Sequence, residues 1–371
     1  MVPVTWRRER TDADSLEAWP GEWFHQGKDV TLIALRGMAE EELDPASVRQ
    51  RLGLGEETAA WLASLPSNVA SGELPMLPEH DEAAALLARL GVPSVQVDEA
   101  ISVLPAVEVD PALRWLLGRC SQQLVQVMGV NGPLLPWPAL PASLGLPARY
   151  LYVLVFLATF PYVRRYHQQC DIPDDVSWAT LADLGRHMAI HQRIYGEGGL
   201  SAYNWLTLHF RGVIYALGRL QFHRSRISYD ADTIARLSLS FQRGDPCLGV
   251  HIPESGPLSP EACDASFQWA REFFSHHFPE ETYKFATCGS WLLDDQLAEY
   301  LPATSNIVRF QRRFQLMPGG RPCDGEIVSF VFRRVNARVE DLPQRTTLER
   351  AIVRHLCAGR HWQSRWGWVA L

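Results

Sequence analysis

The chain has 371 residues, which is enough for two domains that each bury a core. Its 47% hydrophobic and 21% charged residues are typical of a soluble globular protein, and its net charge of -7 argues against a general nucleic-acid binder. All but two of the 35 basic residues are arginines, the exceptions being Lys28 and Lys284. Arginine suits two-pronged contacts with phosphate.

The cysteines and histidines predict no metal site. Seven cysteines are scattered along the chain without a Cys-x-x-Cys pair, which indicates reduced thiols, a cytoplasmic protein and no structural zinc. His187 and His191 are one helical turn apart, but Met188 stands where the zinc-protease pattern has glutamate. We therefore expect no metal.

No segment predicts a membrane anchor or a signal peptide. The start of the chain is polar around Trp6-Arg7-Arg8-Glu9-Arg10. The longest apolar run, Tyr150 to Val163, is too short to span a bilayer and contains Pro161. We predict a buried helix there.

The first 200 residues show mainly helical spacing of apolar side chains. A helix opens at the cap Asp44-Pro45, whereas residues 1–40 carry no clear signal. A proline-rich connector at 132–147 is a domain linker or, as we favour, a loop packed inside one helical domain. We predict a helical domain over 1–199, with further helices at 56–65, 80–91, 110–129, 149–168 and 177–195.

After Gly198-Gly199 the apolar spacing changes to the two-residue period of strands, which predicts a second domain over 200–371. Arg243-Gly244-Asp245-Pro246 predicts a hairpin turn. The predicted strands are 205–210, 213–223, 237–241, 247–252, 282–290, 306–316, 326–334 and 366–369, and the predicted helices are 260–278, 293–300 and 346–358.

The segment from Leu248 to Pro260 predicts a phosphate site. An apolar strand is followed by a Gly/Pro/Ser loop and by a helix start at Ser259, Pro260 and Glu261. Backbone N–H groups point outward at the positive end of such a helix.

This order of elements resembles the GNAT N-acyltransferase superfamily. Over about residues 40–340 the chain also resembles actinobacterial proteins with a helical acyltransferase N-terminal domain and a GNAT-like C-terminal domain. The resemblance implies an α+β fold, with a helical domain followed by a mixed β-sheet domain flanked by helices. The segments that carry it are Tyr215-Ala216-Leu217-Gly218-Arg219-Leu220-Gln221-Phe222, His251-Ile252-Pro253, Ser290-Trp291-Leu292-Leu293-Asp294 and Ser305-Asn306-Ile307-Val308-Arg309-Phe310-Gln311.

The resemblance implies an acyl thioester as co-substrate, either acyl-CoA or acyl-phosphopantetheine on a carrier protein. The usual phosphate loop reads Gln/Arg-x-x-Gly-x-Gly/Ala, whereas this loop has one glycine, Gly256, followed by Pro257, which lacks an N–H. A carrier-bound arm has one phosphate in place of the pyrophosphate of CoA, so both donors stay open. The expected cofactor-binding residues are Val250, Ile252, Ser255, Gly256, Leu258 and Ser259.

Three residues are candidates for catalysis of acyl transfer to an amine. His251, at the end of its strand, is either the base or a structural residue. Glu254 holds the amine or is a solvated loop carboxylate. Ser290 protonates the leaving thiolate or caps the next helix. Cys288 has no recognisable base beside it in sequence, so a buried thiol is favoured over a nucleophile.

Polar side chains on two predicted strands form either a substrate wall or solvent-facing surfaces. On one strand Arg219 alternates with Gln221 and His223. On the other Arg313 alternates with Arg309 and Gln311. The expected substrate-binding residues are Gln221, His223, Trp291, Asp294, Arg309 and Gln311.

These observations favour an N-acyltransferase acting on a small-molecule or peptide amine, with a carrier protein as the alternative donor. Neither nucleic acid nor membrane is an expected partner. Two other hypotheses are a non-catalytic GNAT-like protein that binds an acyl group or its carrier, and a thioester hydrolase with water in place of the amine.

Overall fold

A computed structural model describes residues 43–66 and 75–371. Its N-terminal region is helical. The side chain of Asp44 accepts a hydrogen bond from Ser47 N at the start of α1, and Asp110 caps α6 in the same way. The helices are α1 Pro45–Arg51, α2 Ala59–Ser64, α3 His80–Arg89, α4 Ser94–Ser102, α5 Leu104–Val109, α6 Pro111–Gln126, α7 Leu146–Gln169, α8 Asp174–Leu181, α9 Asp183–Tyr195 and α10 Tyr203–Phe210.

Helix α7 is the central helix of this region. Among the described residues it alone is long and apolar enough to cross a membrane, by length and composition. Its residues from Tyr150 to Thr159 are all buried, however, in an apolar cluster that extends from Leu43 to Phe210. A helix that is apolar on all sides and enclosed by other helices is a core helix.

The second region is a seven-stranded mixed sheet in the order β1-β2-β3-β4-β7-β5, with β6 also paired to β7. Every pairing is antiparallel except β3 with β4. The elements are β1 Ile214–Leu217, β2 Leu220–Arg226, α11 Ala231–Arg236, β3 Pro246–His251, α12 Pro260–His277, β4 Phe285–Ser290, α13 Asn306–Gln311, β5 Gln315–Leu316, β6 Arg321–Pro322, α14 Asp324–Phe332, α15 Thr347–Cys357 and β7 Gln363–Ala370.

The two faces of the sheet meet different neighbours. Phe222 and Val250 lie in one apolar cluster with Phe267 and Phe274 of α12. Successive strand residues point to opposite faces, so Gln221, His223 and His251 turn away from α12. The Trp205 ring of α10 lies 4.5 Å from the His251 ring, so the helical region covers this second face. At the free edge of β1, Ala216 N donates to Thr180 Oγ1 of α8 at 2.9 Å.

Several predicted strands are helices. Residues 205–210 lie in α10, where the five residues from Leu206 to Phe210 are all buried, so their apolar alternation does not indicate one exposed face. The predicted strand 306–316 is mostly α13, which starts at the cap Ser305, and 326–334 is mostly α14. All three strand predictions were wrong.

Two other strand predictions need correction. Residues 213–223 form a hairpin, because Gly218 takes the left-handed conformation (φ 75°) that turns β1 back into β2. Residues 237–241 are not a strand, since the chain there leaves α11, which is capped by Asp230. The strand predictions that became β3, β4 and β7, and the prediction of α12, were correct.

Candidate active site

Strands β3 and β4 separate near the middle of the sheet. They pair at only two positions, Leu248 with Ala286 and Gly249 with Thr287. β3 nevertheless continues along β2 to His251, and β4 continues along β7 to Ser290. The sheet therefore has a gap between the end of β3 and the end of β4.

The backbone of β3 presents polar groups to this gap. Ile227 N donates to Asp245 O at 2.8 Å, next to the β2–β3 ladder, which shows which residues of β2 face β3. The direction of the backbone N–H and C=O groups alternates along a strand. Those of Gly249 and His251 therefore point to β2, while those of Leu248, Val250 and Ile252 point to β4. The Ile252 N–H, beyond the last β3–β4 pair, makes no hydrogen bond to another described residue.

Two histidines form a pair beside the gap. His251 Nε2 lies 2.6 Å from His223 Nδ1, on the sheet face turned toward the helical region. The His223 ring lies directly over its cross-strand neighbour Gly249, where an added Cβ would meet the ring at 1.9 Å. A residue without a side chain at 249 is therefore required for this arrangement.

The histidine pair is uncharged at neutral pH. Burial lowers the pKa of His223 to about 4 and lowers the pKa of His251 well below its usual value, and neighbouring histidine charges add to the effect at His251. A neutral imidazole has one N–H and one lone pair. The mutual hydrogen bond uses one of each, which leaves the pair with one N–H and one basic nitrogen.

Helices α9 and α10 cover this pair from the helical region. The Trp205 ring lies edge-on to His251 with 4.5 Å between ring centroids, and it also contacts His209 at 5.5 Å. His209 is fully buried, and its Nε2 lies 2.9 Å from Asp183 Oδ2. The same carboxylate is 3.4 Å from His187 Nε2.

Gln221 of β2 is the cross-strand partner of His251 of β3. Its side chain is 2% exposed, and its amide nitrogen is buried without a hydrogen-bond partner among the described residues. A buried amide that lacks a partner is costly unless a ligand supplies one. This prediction of a substrate-binding residue therefore has a physical reason that was not visible in the sequence.

The loop after β3 is fastened by arginines. Arg219, in the β1–β2 turn and not on a strand as expected, donates to Pro253 O at 3.0 Å and to Pro257 O at 3.1 Å. Glu254 forms ion pairs with Arg193 of α9 and with Arg333 after α14. It is thus a structural link as placed here, and a role in holding the amine stays a prediction.

The remaining loop residues lead into α12. Gly256 has the left-handed φ of 67°, Leu258 is buried, and Ser255 N donates to Pro253 O at 2.8 Å. Ser259 caps α12 by accepting from Ala262 N at 3.2 Å, as the sequence predicts. Val250 and Ile252 border the gap. The contacts of the six predicted cofactor-binding residues with an acyl thioester stay predictions.

The residues after β4 mostly hold one another. Ser290 Oγ accepts from Leu292 N at 3.1 Å, the capping role considered for it. Asp294 is fully buried and accepts from Gln363 N at 2.7 Å, and Gln311 donates to Leu292 O and Asp294 O, both at 2.8 Å. Trp291 packs beside a separate apolar cluster around α15. Their predicted substrate contacts stay predictions.

Two further expectations concern reactivity and metals. Burial raises the pKa of Cys288 to about 12, so its thiol is protonated at neutral pH. Within the described ranges, no group of three or more His, Cys, Asp or Glu side chains is arranged to hold a metal ion.

Comparisons with known proteins identify the family. A family model described as N-acyltransferase N-terminal domain matches residues 81–212, and one described as GNAT-like C-terminal domain matches residues 214–369. An acyltransferase solved in complex with decanoyl-CoA and teicoplanin is 43% identical over 89% of this chain and 100% of its own, with a TM-score of 0.78. The chain belongs to this family of two-domain acyltransferases.

Two other solved acyltransferases are similar to this chain to the same degree. An acyltransferase mutant in complex with octanoyl-CoA is 43% identical, and an acyltransferase in complex with decanoyl-CoA is 44% identical; each covers 89% of this chain and 100% of its own, with a TM-score of 0.80. No match was found among curated protein sequences. This two-domain acyltransferase is therefore an enzyme, as expected, and the hypothesis of a non-catalytic binding protein is not favoured.

Proposed function

We propose that this acyltransferase moves an acyl group from acyl-CoA to an amine on a glycopeptide-type acceptor. The single observation that carries the proposal is the one basic nitrogen left by the His251–His223 pair at the open end of the β3–β4 gap. The complexes of related acyltransferases with decanoyl-CoA and teicoplanin support the two substrate classes.

The donor thioester fits the gap between β3 and β4. Its carbonyl oxygen gains negative charge when a nucleophile adds to the carbonyl carbon, and a backbone N–H aimed at that oxygen stabilises the charge. The Ile252 N–H faces the gap, and no described residue accepts a hydrogen bond from it, so we assign it this role. Val250 and Ile252 are then the donor contacts on β3.

The histidine pair supplies the base. The acceptor amine must lose a proton as its nitrogen bonds to the carbonyl carbon, and the free imidazole nitrogen accepts it. The carbon–sulfur bond then breaks and the thiolate leaves as CoA, taking a proton from the imidazolium. The buried Gln221 amide nitrogen, which has no hydrogen-bond partner in the described part of the chain, donates a hydrogen bond to the substrate.

The substitution His251→Ala tests this assignment. We expect turnover to fall by roughly 100-fold, which is the range for loss of a general base. Activity should recover in part at higher pH, where more of the amine is already deprotonated, while KM for the donor changes little. The matched control is His276→Ala, because His276 is exposed on the far part of α12.

The measurement is mass spectrometry of the acceptor after reaction with octanoyl-CoA and a teicoplanin derivative that carries a free amine. An amide product supports the proposal. Free octanoic acid without amide supports a thioester hydrolase, and transfer only from an acyl-carrier protein contradicts CoA as donor. A His251→Ala enzyme with normal turnover at every pH and an unchanged melting temperature contradicts the catalytic role.

A further inference from the structure

A surface pocket lies where α12 begins. It has a volume of about 340 Å³ and is lined by Pro260, Arg309, Arg312 and Arg313. Pockets for small ligands commonly start at about 300 Å³. Three of the four lining residues are arginines, in a chain whose net charge is -7. The local charge is thus opposite to the charge of the whole molecule.

The arginines converge because their segment is helical. Arg309 lies in α13, Arg312 caps its end, and Arg313 follows within the same turn. Spacings of three and four residues bring side chains to one face of a helix. On the strand that the sequence predicts, Arg309 and Arg313 would share one face with Gln311. Arg312 would point to the opposite face.

The three guanidinium groups differ in how they are held. Arg313 forms an ion pair with Asp264 of α12 and donates to Pro260 O at 2.9 Å, and its buried Nε lacks a partner among the described residues. Arg309 and Arg312 are exposed, and neither forms a salt bridge with a described carboxylate. Two cations are therefore free to bind an anion, beside a third that is fixed.

The pocket adjoins the predicted phosphate loop. Pro260 is the first residue of α12, directly after Ser259, at the end of the loop that Arg219 fastens. In that loop Pro257 has no N–H, and the Ala262 N–H of the first helical turn is used by Ser259. A phosphorylated donor that follows the loop therefore meets arginine side chains where backbone donors run short.

We propose that Arg309 and Arg312 bind the 3′-phosphate on the ribose of CoA, with Arg313 as the fixed wall of the subsite. This rests on the proposed use of acyl-CoA. The 3′-phosphate is a dianion of the kind that guanidinium groups bind through paired hydrogen bonds. A carrier-bound phosphopantetheine arm has no such phosphate, so the subsite selects CoA over a carrier protein.

The test compares octanoyl-CoA with octanoyl-3′-dephospho-CoA as donors. For the native enzyme we expect KM to be roughly 10-fold lower for the phosphorylated donor, the scale of one or two charge-assisted hydrogen bonds near solvent. In Arg309→Ala/Arg312→Ala the two donors should have the same KM. The matched control is Arg236→Ala, an exposed arginine at the end of α11, which should keep the preference.

Two results would overturn the subsite. One is a native enzyme that treats both donors alike, and the other is a double variant that keeps the preference. If no acyl transfer occurs with either donor, the proposed function fails separately. Calorimetric titration with CoA and 3′-dephospho-CoA then decides the subsite alone, because the double substitution must abolish the difference in Kd between these two ligands.

Discussion

At the scale of single residues, the site depends on one glycine. Gly249 leaves the space in which the His223 ring lies against the backbone of β3, and the ring position in turn fixes the 2.6 Å contact with His251. Within residues 43–66 and 75–371, no carboxylate forms a hydrogen bond or ion pair with either histidine. The space left by Gly249 therefore sets the orientation of the His251–His223 pair, which is the candidate base.

We expect Gly249→Ala to displace the His223 ring and break the histidine pair. The new Cβ would lie 1.9 Å from the ring, so the ring must move, and turnover should fall by roughly 10- to 100-fold as the base loses its position. Steady-state kinetics and thermal melting on one preparation measure both effects. Gly325→Ala is the control, since a Cβ there meets nothing within 4 Å.

The double variant His223→Ala/Gly249→Ala sharpens this test. Removal of the ring relieves the collision, so the melting temperature should rise above that of Gly249→Ala while turnover stays low. Equal turnover in Gly249→Ala and the native enzyme would contradict the account.

At the scale of elements, the β3–α12 loop depends on a distant turn. Arg219 holds the loop at both Pro253 O and Pro257 O from the β1–β2 hairpin. We expect Arg219→Ala to raise KM for the acyl-CoA donor by about 10-fold, through loss of two hydrogen bonds from a charged donor. KM for the amine acceptor should stay near its native value.

Kinetics with each substrate varied in turn provide the measurement. Arg236→Ala again serves as the exposed control. A variant in which both KM values rise equally would show that Arg219 supports the whole site and not the donor loop.

The elements also show what the sequence could predict. The strand–loop–helix unit at 247–277 was predictable, because a buried strand, the cap Ser259 and Pro260 are local signals. Helix α10 was not, because Leu206 to Phe210 are all buried, so the alternation of polar and apolar residues there does not mark a solvent-facing side. The same mistake over α13 hid the convergence of Arg309 with Arg312, which only helical geometry produces.

The sequence indicates candidate site residues, but it does not indicate which side chains they contact. His251 is a candidate because of its place at a strand end, whereas its contact with His223 depends on the pairing register of β2 and β3. The hydrogen bond that Asp294 accepts from Gln363 N likewise depends on β7, which lies 69 residues later in the sequence. The proposed domain boundary near residue 200 stays a prediction.

At the scale of the whole molecule, buried histidines set the response to acid. Burial lowers the pKa of His167 to about 3 and the pKa of His223 to about 4. Between these values and the usual pKa of about 6.5, the unfolded chain binds protons that the folded chain does not. The free energy of unfolding should therefore decrease as the pH falls from about 6.5 to about 4.

Urea unfolding at pH 7.0 and pH 5.0 measures this decrease in a range above the usual pKa of aspartate and glutamate. The midpoint should be clearly lower at pH 5.0. His276→Ala should leave the difference unchanged, because His276 is exposed. Equal midpoints at the two pH values would contradict the assignment of neutral buried histidines.

The short contact between β3 and β4 has a mechanical consequence. Strands β1 to β3 form one half of the sheet and β4 to β7 the other, and only two residue pairs join the halves by strand pairing. A ligand bound in the gap contacts both halves and so adds interactions between them that the polypeptide alone does not make. Donor binding and the union of the two halves are then thermodynamically linked, so each must strengthen the other by the same free energy.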